Sequence, residues 1–303
     1  MKQKTVMNLL FITLFSFNLL GQQKEVDTFR VYYLGGQSNM DGLGLNSELP
    51  ETLKKQFDDI YIFHGNLVGD NKPNGGLGKW EKLNPGHGAG FLTDGKNSKL
   101  SDRFGPELSF AKKIQELHPN EKIAIIKYSR GGTAIDSRIN APAGCWEPDF
   151  KGTNQYDYFL TTLQNAFAVN DINGDGKDDR LVPAGIIWMQ GESDACGAEE
   201  VAYDYYSNLK QLMDLIRAAL RVDDLPVVIG KISDSNHNEN GKIWPYGELV
   251  QHGQEKFVRT DDNAAIVRDT KHYKYSDSAH YNSAGYIDLG EKFAEKVYKL
   301  NVK

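Results

Sequence analysis

The sequence predicts a doubly wound α/β fold, a three-layer α/β/α sandwich around a mainly parallel sheet. Short apolar runs alternate with longer segments that carry apolar residues at helical spacing. The short runs are almost continuously apolar, which is typical of strands covered by helices on both faces. Alternation of the two kinds of segment over most of the 303 residues indicates parallel strands joined by helices.

Six strands are predicted from the apolar runs. The first, Phe29 to Leu34, reads FRVYYL, and the second, Ile60 to Phe63, reads IYIF. The other four are residues 123–128, 184–189, 226–229 and 264–267. β-branched or aromatic residues recur in all six, which favours strands over short helices.

Five helices are predicted between and after these strands, over residues 106–117, 158–169, 199–220, 247–258 and 283–300. Each has an apolar face at helical spacing. No internal repeat or low-complexity linker interrupts the pattern, so one domain from about Lys24 to Lys303 is the simplest organisation. Glycine and asparagine are dense between Gly65 and Gly95, which predicts a long irregular loop region.

The first residues have the pattern of a secretory signal peptide. Lys2 and Lys4 precede a short apolar run over residues 7–20. The run is too short to span a bilayer comfortably, so no membrane span is expected after cleavage. Removal of residues 1–21 would leave a secreted or periplasmic protein. An uncleaved anchor and a buried N-terminal helix are the alternatives.

The net charge narrows the classes of binding partner, and the cysteine content allows one disulfide. The formal net charge is −6, and removal of Lys2 and Lys4 would make it −8. An acidic surface repels nucleic acid and anionic membranes, so neither is predicted as a partner. Cys145 and Cys196 would form one disulfide or remain two separate thiols, and the sequence leaves both open.

Two glycine-rich turns follow predicted strands, where a parallel sheet places its active site. Residues 35–40, GGQSNM, would expose the Ser38 hydroxyl and set its amide at a helix N-terminus. Residues 128–133, YSRGGT, contain Gly131 and Gly132, which would let a second amide approach the same oxygen. Ordinary turn chemistry explains either turn taken alone.

A polar segment follows the fourth predicted strand. Residues 188–194 read WMQGESD, and Gln190 and Glu192 would be poor core residues because unpaired buried polar groups are costly. The Gln190 amide, pointing into a cleft, is a candidate third donor to an oxyanion. Glu192 is a candidate support for the hydrogen bonds of the site.

The last segment, residues 277–282, reads DSAHYN and precedes the final predicted helix. Asp277, three residues before His280 on one loop, can reach the Nδ1–H of the imidazole and leave Nε2 for a serine. Taken alone, this spacing is more typical of a surface pair.

Together the four segments resemble the SGNH/GDSL hydrolases. Within them they resemble the sialate O-acetylesterase-like group that includes acetylxylan esterases, the carbohydrate esterase family 6-like enzymes. The likeness runs from Phe29 to about Leu289 and implies the SGNH-hydrolase, flavodoxin-like version of the predicted fold. Two residues depart from the pattern. Met189 stands where the group often has His, and Gln190 stands where the wider class has Asn.

The resemblance implies a serine esterase that needs no metal or other cofactor for catalysis. Ser38 would attack an acetyl carbonyl, His280 would take its proton and Asp277 would fix the imidazole tautomer. The resemblance also implies an oxyanion hole formed by the amide of Ser38, the amide of Gly131 or Gly132, and the side chain of Gln190. Arg130 and Glu192 would support this site.

The same resemblance implies an acetylated carbohydrate as substrate. Family analogy favours xylan or a related hemicellulose, with O-acetylated sialic acid as the alternative. An esterase or lipase of this class that acts on a non-carbohydrate ester stays open, as does a non-catalytic sugar-binding module. No long apolar stretch that would line an acyl channel is present in the sequence.

Residues 171–179, DINGDGKDD, have the spacing with which a calcium loop begins, since oxygen-bearing residues alternate and glycine is sixth. The twelfth position is Val182 where such a loop has Glu, so a bound ion would need another ligand. The spacing predicts a structural Ca²⁺ held by Asp171, Asn173, Asp175 and Asp179. The alternative is an acidic, solvated turn.

Trp80, Trp146 and Trp244 lie in segments flanked by glycine or proline. Rings exposed near a cleft would stack on sugar faces. Packing beneath loops is the simpler expectation for each of the three.

Overall fold

The computed structural model describes residues 26–67, 74–239 and 241–303. These residues form a three-layer α/β/α sandwich, as predicted. The predicted signal peptide, residues 1–21, lies outside the described residues. Among the helices of the described ranges, none has the length and apolar character needed to cross a membrane.

The central sheet has seven strands, which are β1 (Asp27–Gly36), β2 (Ile60–His64), β3 (Trp80–Lys82), β4 (Lys122–Ser129), β5 (Asp179–Met189), β6 (Val227–Gly230) and β7 (Ala264–Val267). Their spatial order is β7-β6-β5-β1-β4-β2-β3, and all neighbours are parallel except β2 and β3. The six predicted strands are confirmed. β3 lies inside the glycine-rich segment, which was predicted as a loop. The prediction missed this strand because its three half-buried residues are too few to show a period.

In the described ranges, six α-helices connect and cover the strands. These helices are α1 (Ser38–Asp41), α2 (Glu107–Leu117), α3 (Gln155–Phe167), α4 (Glu199–Leu220), α5 (Gly247–Thr260) and α6 (Ser283–Asn301). The five predicted helices are confirmed. α3 begins three residues earlier than predicted because Asn154 caps it, its side chain accepting from the amides of Tyr156 and Asp157. α1 has a single turn and therefore no detectable apolar period.

The two faces of β1 show how the layers are built. The Tyr32 ring packs on Phe110 of α2, with ring centroids 5.2 Å apart, and the Tyr33 ring packs on Phe159 of α3 at 4.7 Å. Successive side chains of a strand point to opposite faces, so α2 and α3 cover opposite sides of the sheet. Burial on both faces explains the continuously apolar strands.

The strand register brings the polar segments together. Gly36, at the end of β1, lies opposite Ser129 of β4 and Met189 of β5. The three strands therefore end side by side, and the turns that follow them leave the sheet at one edge. This edge is where open α/β sheets bind their ligands.

The three tryptophans pack against the protein. Trp146 is 0% exposed, while Trp80 is half-buried and donates its Nε1–H to the Ala166 carbonyl at 2.9 Å. Trp244 is also half-buried and donates to the Ser233 carbonyl at 3.1 Å. The packing expectation therefore fits all three rings.

The two cysteines are free thiols, with Cys145 buried and Cys196 exposed. The disulfide that the sequence left open does not form here. Burial raises the pKa of the Cys145 thiol to about 12, so this side chain behaves as a small apolar residue.

Candidate active site

Ser38 stands on a sharp turn between β1 and α1. Gly36 has φ +137°, and a Cβ atom there would lie 2.0 Å from the Met189 carbonyl oxygen, so only glycine fits. The Gln37 amide donates to that same oxygen at 2.9 Å, and the Gln37 side-chain oxygen accepts from the Gly191 amide at 3.2 Å. These bonds fix the turn against the end of β5 and leave Ser38 half-buried at the first position of α1.

The turn after β4 lies directly against the serine. A Cβ atom on Gly131 would be 3.3 Å from the Cβ atom of Ser38, and the Arg130 amide donates to the Gly36 carbonyl at 3.0 Å. Gly132 has φ +73°, which lets the chain turn sharply here. Within the described ranges, the amides of Ser38 and Gly131 donate to no other group. The Gly132 amide likewise donates to no group in the described ranges, so Ser38 and either Gly131 or Gly132 are candidates to bind an oxygen beside Ser38.

Asp277 orients His280 through both its ring and its backbone. Oδ2 of Asp277 lies 2.8 Å from Nδ1 of His280, and Oδ1 accepts from the amides of Ala279 at 2.7 Å and His280 at 2.8 Å. Because an ionised carboxylate only accepts hydrogen bonds, Nδ1 carries the ring hydrogen and the neutral imidazole keeps a lone pair on Nε2. The imidazole is therefore held as the tautomer that can act as a base through Nε2.

Electrostatics keep Asp277 in its charged form. Burial works against the carboxylate, but hydrogen bonds from the His280 ring and from the amides of Ala279 and His280 outweigh it and lower the pKa of Asp277. An ionised Asp277 would stabilise an imidazolium at His280.

The serine turn and the histidine loop meet through Asn39. Its Nδ2 donates to the Ala279 carbonyl at 3.2 Å. The residue after Ser38 thus contacts the residue before His280, although the two segments are about 240 positions apart in the chain. The structure brings together the serine turn, the Gly131 turn and the Asp277–His280 pair.

Gln190 differs from its predicted role as an oxyanion donor. Its Nε2 donates to Oδ2 of Asp194 at 2.6 Å and to the Thr133 carbonyl at 3.1 Å, and its Oε1 accepts from the Tyr205 hydroxyl at 3.0 Å. Both amide hydrogens are thereby used, and the side chain is 0% exposed. Gln190 supports the loop behind Gly132 and has no free hydrogen for an oxyanion, a result of tertiary contacts that the local sequence does not show.

Asp194 is a buried support for the same loop. Its carboxylate accepts from the amides of Ile135 and Asp136 as well as from Gln190. Burial raises its pKa to about 6, although these donors favour the charged form. Its partners lie on the Gly132 side of the site and not on the His280 loop.

The two residues predicted to support the site have different surroundings. Glu192 is 2% exposed, and its Oε1 accepts from Nδ2 of Asn39 at 2.8 Å. Arg130 is half-buried and forms no ion pair with any residue that the structure describes. Glu192 is therefore an internal support, while Arg130 offers an unpaired positive charge beside the serine turn.

The acidic loop turns its oxygens toward its own backbone. Oδ2 of Asp171 accepts from the Gly176 amide at 2.8 Å, and Oδ1 of Asn173 accepts from the Asp175 amide at 2.9 Å. Asp179 accepts from the Ile172 amide at 2.7 Å. No three Asp, Glu, His or Cys side chains in the described part of the chain are grouped so as to hold a metal ion. The calcium site stays a prediction from sequence spacing.

Asn39 and Gln37 are the residues whose importance the sequence analysis did not predict. Both flank Ser38 in the GGQSNM segment, so proximity to the serine is the available signal. Their partners, Ala279 and Gly191, belong to other segments of the chain and are visible only in the fold.

Comparison with known proteins shows the family and the fold of this chain. The model of the family described as "Carbohydrate esterase, sialic acid-specific acetylesterase" matches residues 28–299. A comparison with curated protein sequences gave no match.

Two similar solved structures are a protein from Arabidopsis thaliana and a carbohydrate acetylesterase from Xanthomonas citri. The first has 20% identity and a TM-score of 0.62, with 89% of this chain and 98% of the other covered. The second has 19% identity and a TM-score of 0.60, with 90% of this chain and 57% of the other covered. At these identities the likeness establishes a shared fold.

Proposed function

The chain belongs to the carbohydrate esterase, sialic acid-specific acetylesterase family, and on that premise we propose that it removes acetyl groups from a polysaccharide, acetylated xylan or a related hemicellulose. One observation carries the proposal: Ser38, the Gly131 turn and the Asp277–His280 pair meet at the carboxyl edge of the sheet. This arrangement offers a nucleophile, oxyanion donors and an oriented base within one site.

In the proposed first half-reaction, Oγ of Ser38 attacks the acetyl carbonyl carbon while its proton passes to Nε2 of His280. Negative charge develops on the carbonyl oxygen, where the amides of Ser38 and Gly131 donate to it. The imidazolium, stabilised by Asp277, then gives its proton to the sugar oxygen. The bond between the carbonyl carbon and the sugar oxygen breaks, the sugar leaves with a free hydroxyl, and the acetyl group stays on Ser38.

In the second half-reaction, water attacks the acetyl-enzyme. His280 takes a proton from the water, and the same amides hold the oxyanion. The imidazolium then returns a proton to Oγ of Ser38 as acetic acid leaves, and the acid ionises to acetate in the solvent. Every proton transfer within the site involves a residue of this chain, and the products are acetate and the deacetylated sugar.

O-acetylated sialic acid is the second candidate substrate. The description of the matching family favours it, and so does the unpaired charge of Arg130 beside the serine turn, because sialic acid carries a carboxylate. The net charge of −6 argues weakly the other way, since it repels an anionic substrate.

Acetate release from acetylated xylan and from O-acetylated sialic acid distinguishes the two candidates, with Ser38→Ala as the blank. Preferential release from xylan supports the first proposal, and release from sialic acid alone supports the second. If sialic acid is the substrate, Arg130→Gln should raise KM for it at least about tenfold, because a charge-assisted hydrogen bond is lost.

A third outcome would refute both carbohydrate assignments. If the protein hydrolyses p-nitrophenyl acetate, butyrate or octanoate but releases no acetate from any acetylated carbohydrate, it is an esterase of another specificity. If Ser38→Ala binds polysaccharide as the wild type does and neither protein hydrolyses any ester, the chain is a sugar-binding module.

We also propose export to the periplasm or the medium, from the signal-peptide pattern of residues 1–21. Mass spectrometry of the protein recovered outside the cytoplasm measures the new N-terminus. A mature chain that begins near residue 22 supports the proposal, and a full-length chain retained in the cytoplasm contradicts it.

A further inference from the structure

The amide of Asn39 is buried and has no unused hydrogen-bonding capacity. The residue is 1% exposed. Nδ2 donates to Oε1 of Glu192 at 2.8 Å and to the Ala279 carbonyl at 3.2 Å. Oδ1 accepts from the Tyr281 amide at 3.3 Å and from the Tyr286 hydroxyl at 2.8 Å. Two donors and two acceptors therefore meet their complements.

Two of these four bonds lie on either side of the catalytic base. Ala279 precedes His280 and Tyr281 follows it, so one side chain holds the backbone both before and after His280. Asn39 is itself the neighbour of Ser38 in the chain. Its amide thus connects the backbone that carries the nucleophile with the backbone that carries the base.

The remaining two bonds fix the orientation of the amide. The Glu192 carboxylate is the acceptor facing Nδ2, and the Tyr286 hydroxyl is the donor facing Oδ1. Rotation of the Asn39 amide by 180° would place Oδ1 against the Glu192 carboxylate and the Ala279 carbonyl, and Nδ2 against the Tyr281 amide, a mismatch at three of the four positions. Only one orientation is compatible with burial, so the connection is rigid.

The Glu192 carboxyl that accepts from Asn39 lies in a buried environment, which is unfavourable for a charged group. Its Oε2 is buried and has no hydrogen-bond partner among the residues that the structure describes. Burial raises the pKa of this carboxyl, while the Asn39 hydrogen bond opposes the rise. A buried polar atom without a hydrogen-bond partner does not stabilise the fold, so we expect Glu192 to have a role other than stability.

We propose that Asn39 is a positioning residue that sets the distance between Oγ of Ser38 and Nε2 of His280, and that Glu192 acts through it. The inference rests on the proposed Ser38–His280 chemistry. It assigns no contact with substrate to either residue. A displacement of about 1 Å between reacting groups costs about 100-fold in rate, so a small loosening of this connection has a large effect.

The test is a double-mutant cycle with p-nitrophenyl acetate, which requires the serine and histidine but no particular sugar. We expect Asn39→Ala to lower kcat about 100-fold with KM changed less than about threefold. In a His280→Ala background, the same substitution should lower the residual kcat less than about threefold, because no base is left to position. An equal loss in both backgrounds would overturn the inference.

Asn66→Ala is the matched control, because Asn66 is also a buried asparagine whose amide holds a loop. It is 7% exposed, donates to the Asn74 carbonyl and accepts from the Thr93 amide. We expect it to lower the melting temperature without changing kcat more than about threefold. A loss of kcat as large as that of Asn39→Ala would mean that buried amides act on this enzyme through general stability, against the inference.

Glu192→Ala keeps the test decisive if Asn39→Ala does not fold. It removes the acceptor that orients the amide but leaves the bonds to Ala279 and Tyr281 available, so we expect a loss in kcat of about tenfold that again disappears in the His280→Ala background. Persistence of the loss there would refute the role of Glu192. Full activity of His280→Ala would be a different result. It would refute the proposed catalytic function as a whole, and not only the positioning role.

Discussion

Oδ1 of Asp277 accepts the backbone amide of His280 while Oδ2 of the same carboxylate lies 2.8 Å from the imidazole Nδ1. One side chain therefore holds the base by its backbone and by its ring. The Asp277 side chain is 50% exposed and the His280 side chain 22% exposed. Water reaches the Asp277 carboxylate, but the loop geometry keeps that carboxylate hydrogen-bonded to the imidazole.

This relationship predicts different outcomes for two aspartates. Asp277→Asn should lower kcat about 100-fold or more, because the amide no longer stabilises the imidazolium or fixes its tautomer. Asp194→Asn should change kcat less than about tenfold and lower the free energy of unfolding by about 1–3 kcal/mol, because it disturbs buried bonds to Ile135 and Asp136. Steady-state kinetics and denaturant unfolding measure the two effects. A larger loss of turnover for Glu192→Gln than for Asp277→Asn would make the glutamate the residue that orients the base.

Removal of the nucleophile should abolish turnover and preserve the fold. We expect Ser38→Ala to lower kcat on acetyl esters at least about 1,000-fold, since no other group takes the acetyl. Ser38 is only half-buried and alanine suits the first turn of α1, so the melting temperature should change little. A variant that kept one tenth of wild-type turnover would disprove the assignment.

The pH profile of kcat/KM should have an acid limb that reports one ionisation. His280 must be neutral to accept the serine proton, and the lowered pKa of Asp277 keeps the neighbouring carboxylate ionised. Activity should therefore fall as pH decreases and His280 becomes protonated. In Asp277→Asn the limb should move to lower pH, because the stabilised imidazolium has lost its counter-charge. Activity that stayed flat down to about pH 4 would exclude an imidazole as the base.

Gly36→Ala should be among the most destabilising substitutions at a glycine. A Cβ atom there would lie 2.0 Å from the Met189 carbonyl oxygen, and the φ of +137° is unfavourable for any other residue. We expect the free energy of unfolding to fall by about 3 kcal/mol or more, or the chain not to fold. Gly241→Ala is the control, since its φ is +90° but no atom of the described ranges lies within 4 Å of the added carbon, and about 1–2 kcal/mol of backbone strain is expected. Equal effects would show that the Met189 contact relaxes.

Chelation tests the predicted calcium loop. If Asp171, Asn173, Asp175 and Asp179 bind Ca²⁺, EGTA should lower the melting temperature and added Ca²⁺ should restore it, because an ion that binds only the folded state stabilises it. Activity well below the melting temperature should be unchanged, since no catalytic step uses the loop. An identical melting curve with and without chelator would leave residues 171–179 as a solvated turn.

Much of the fold was predictable because it depends on local pattern. α4 and β7 were predicted at the bounds that the structure has, since their apolar period or apolar run ends where the polar residues begin. The sequence placed Ser38 at the start of a helix but did not give the end of α1, which is a single turn of four residues. β3 was not predicted, because its three half-buried residues show no apolar run. The identity of Ser38, Asp277 and His280 as site candidates also came from local spacing, read together with a family resemblance.

The roles of the internal polar residues were decided by tertiary structure. The sequence alone determined which turns carry polar chemistry, and the parallel sheet brought those turns to one edge. The sequence alone did not determine that Gln190 uses both amide hydrogens in bonds to Asp194 and Thr133. Nor did it determine that Asn39 contacts both neighbours of His280. The physical reason is that a hydrogen bond requires its two atoms to lie within about 3 Å. Partners far apart in the chain reach that distance only when the whole sheet and its helices have packed.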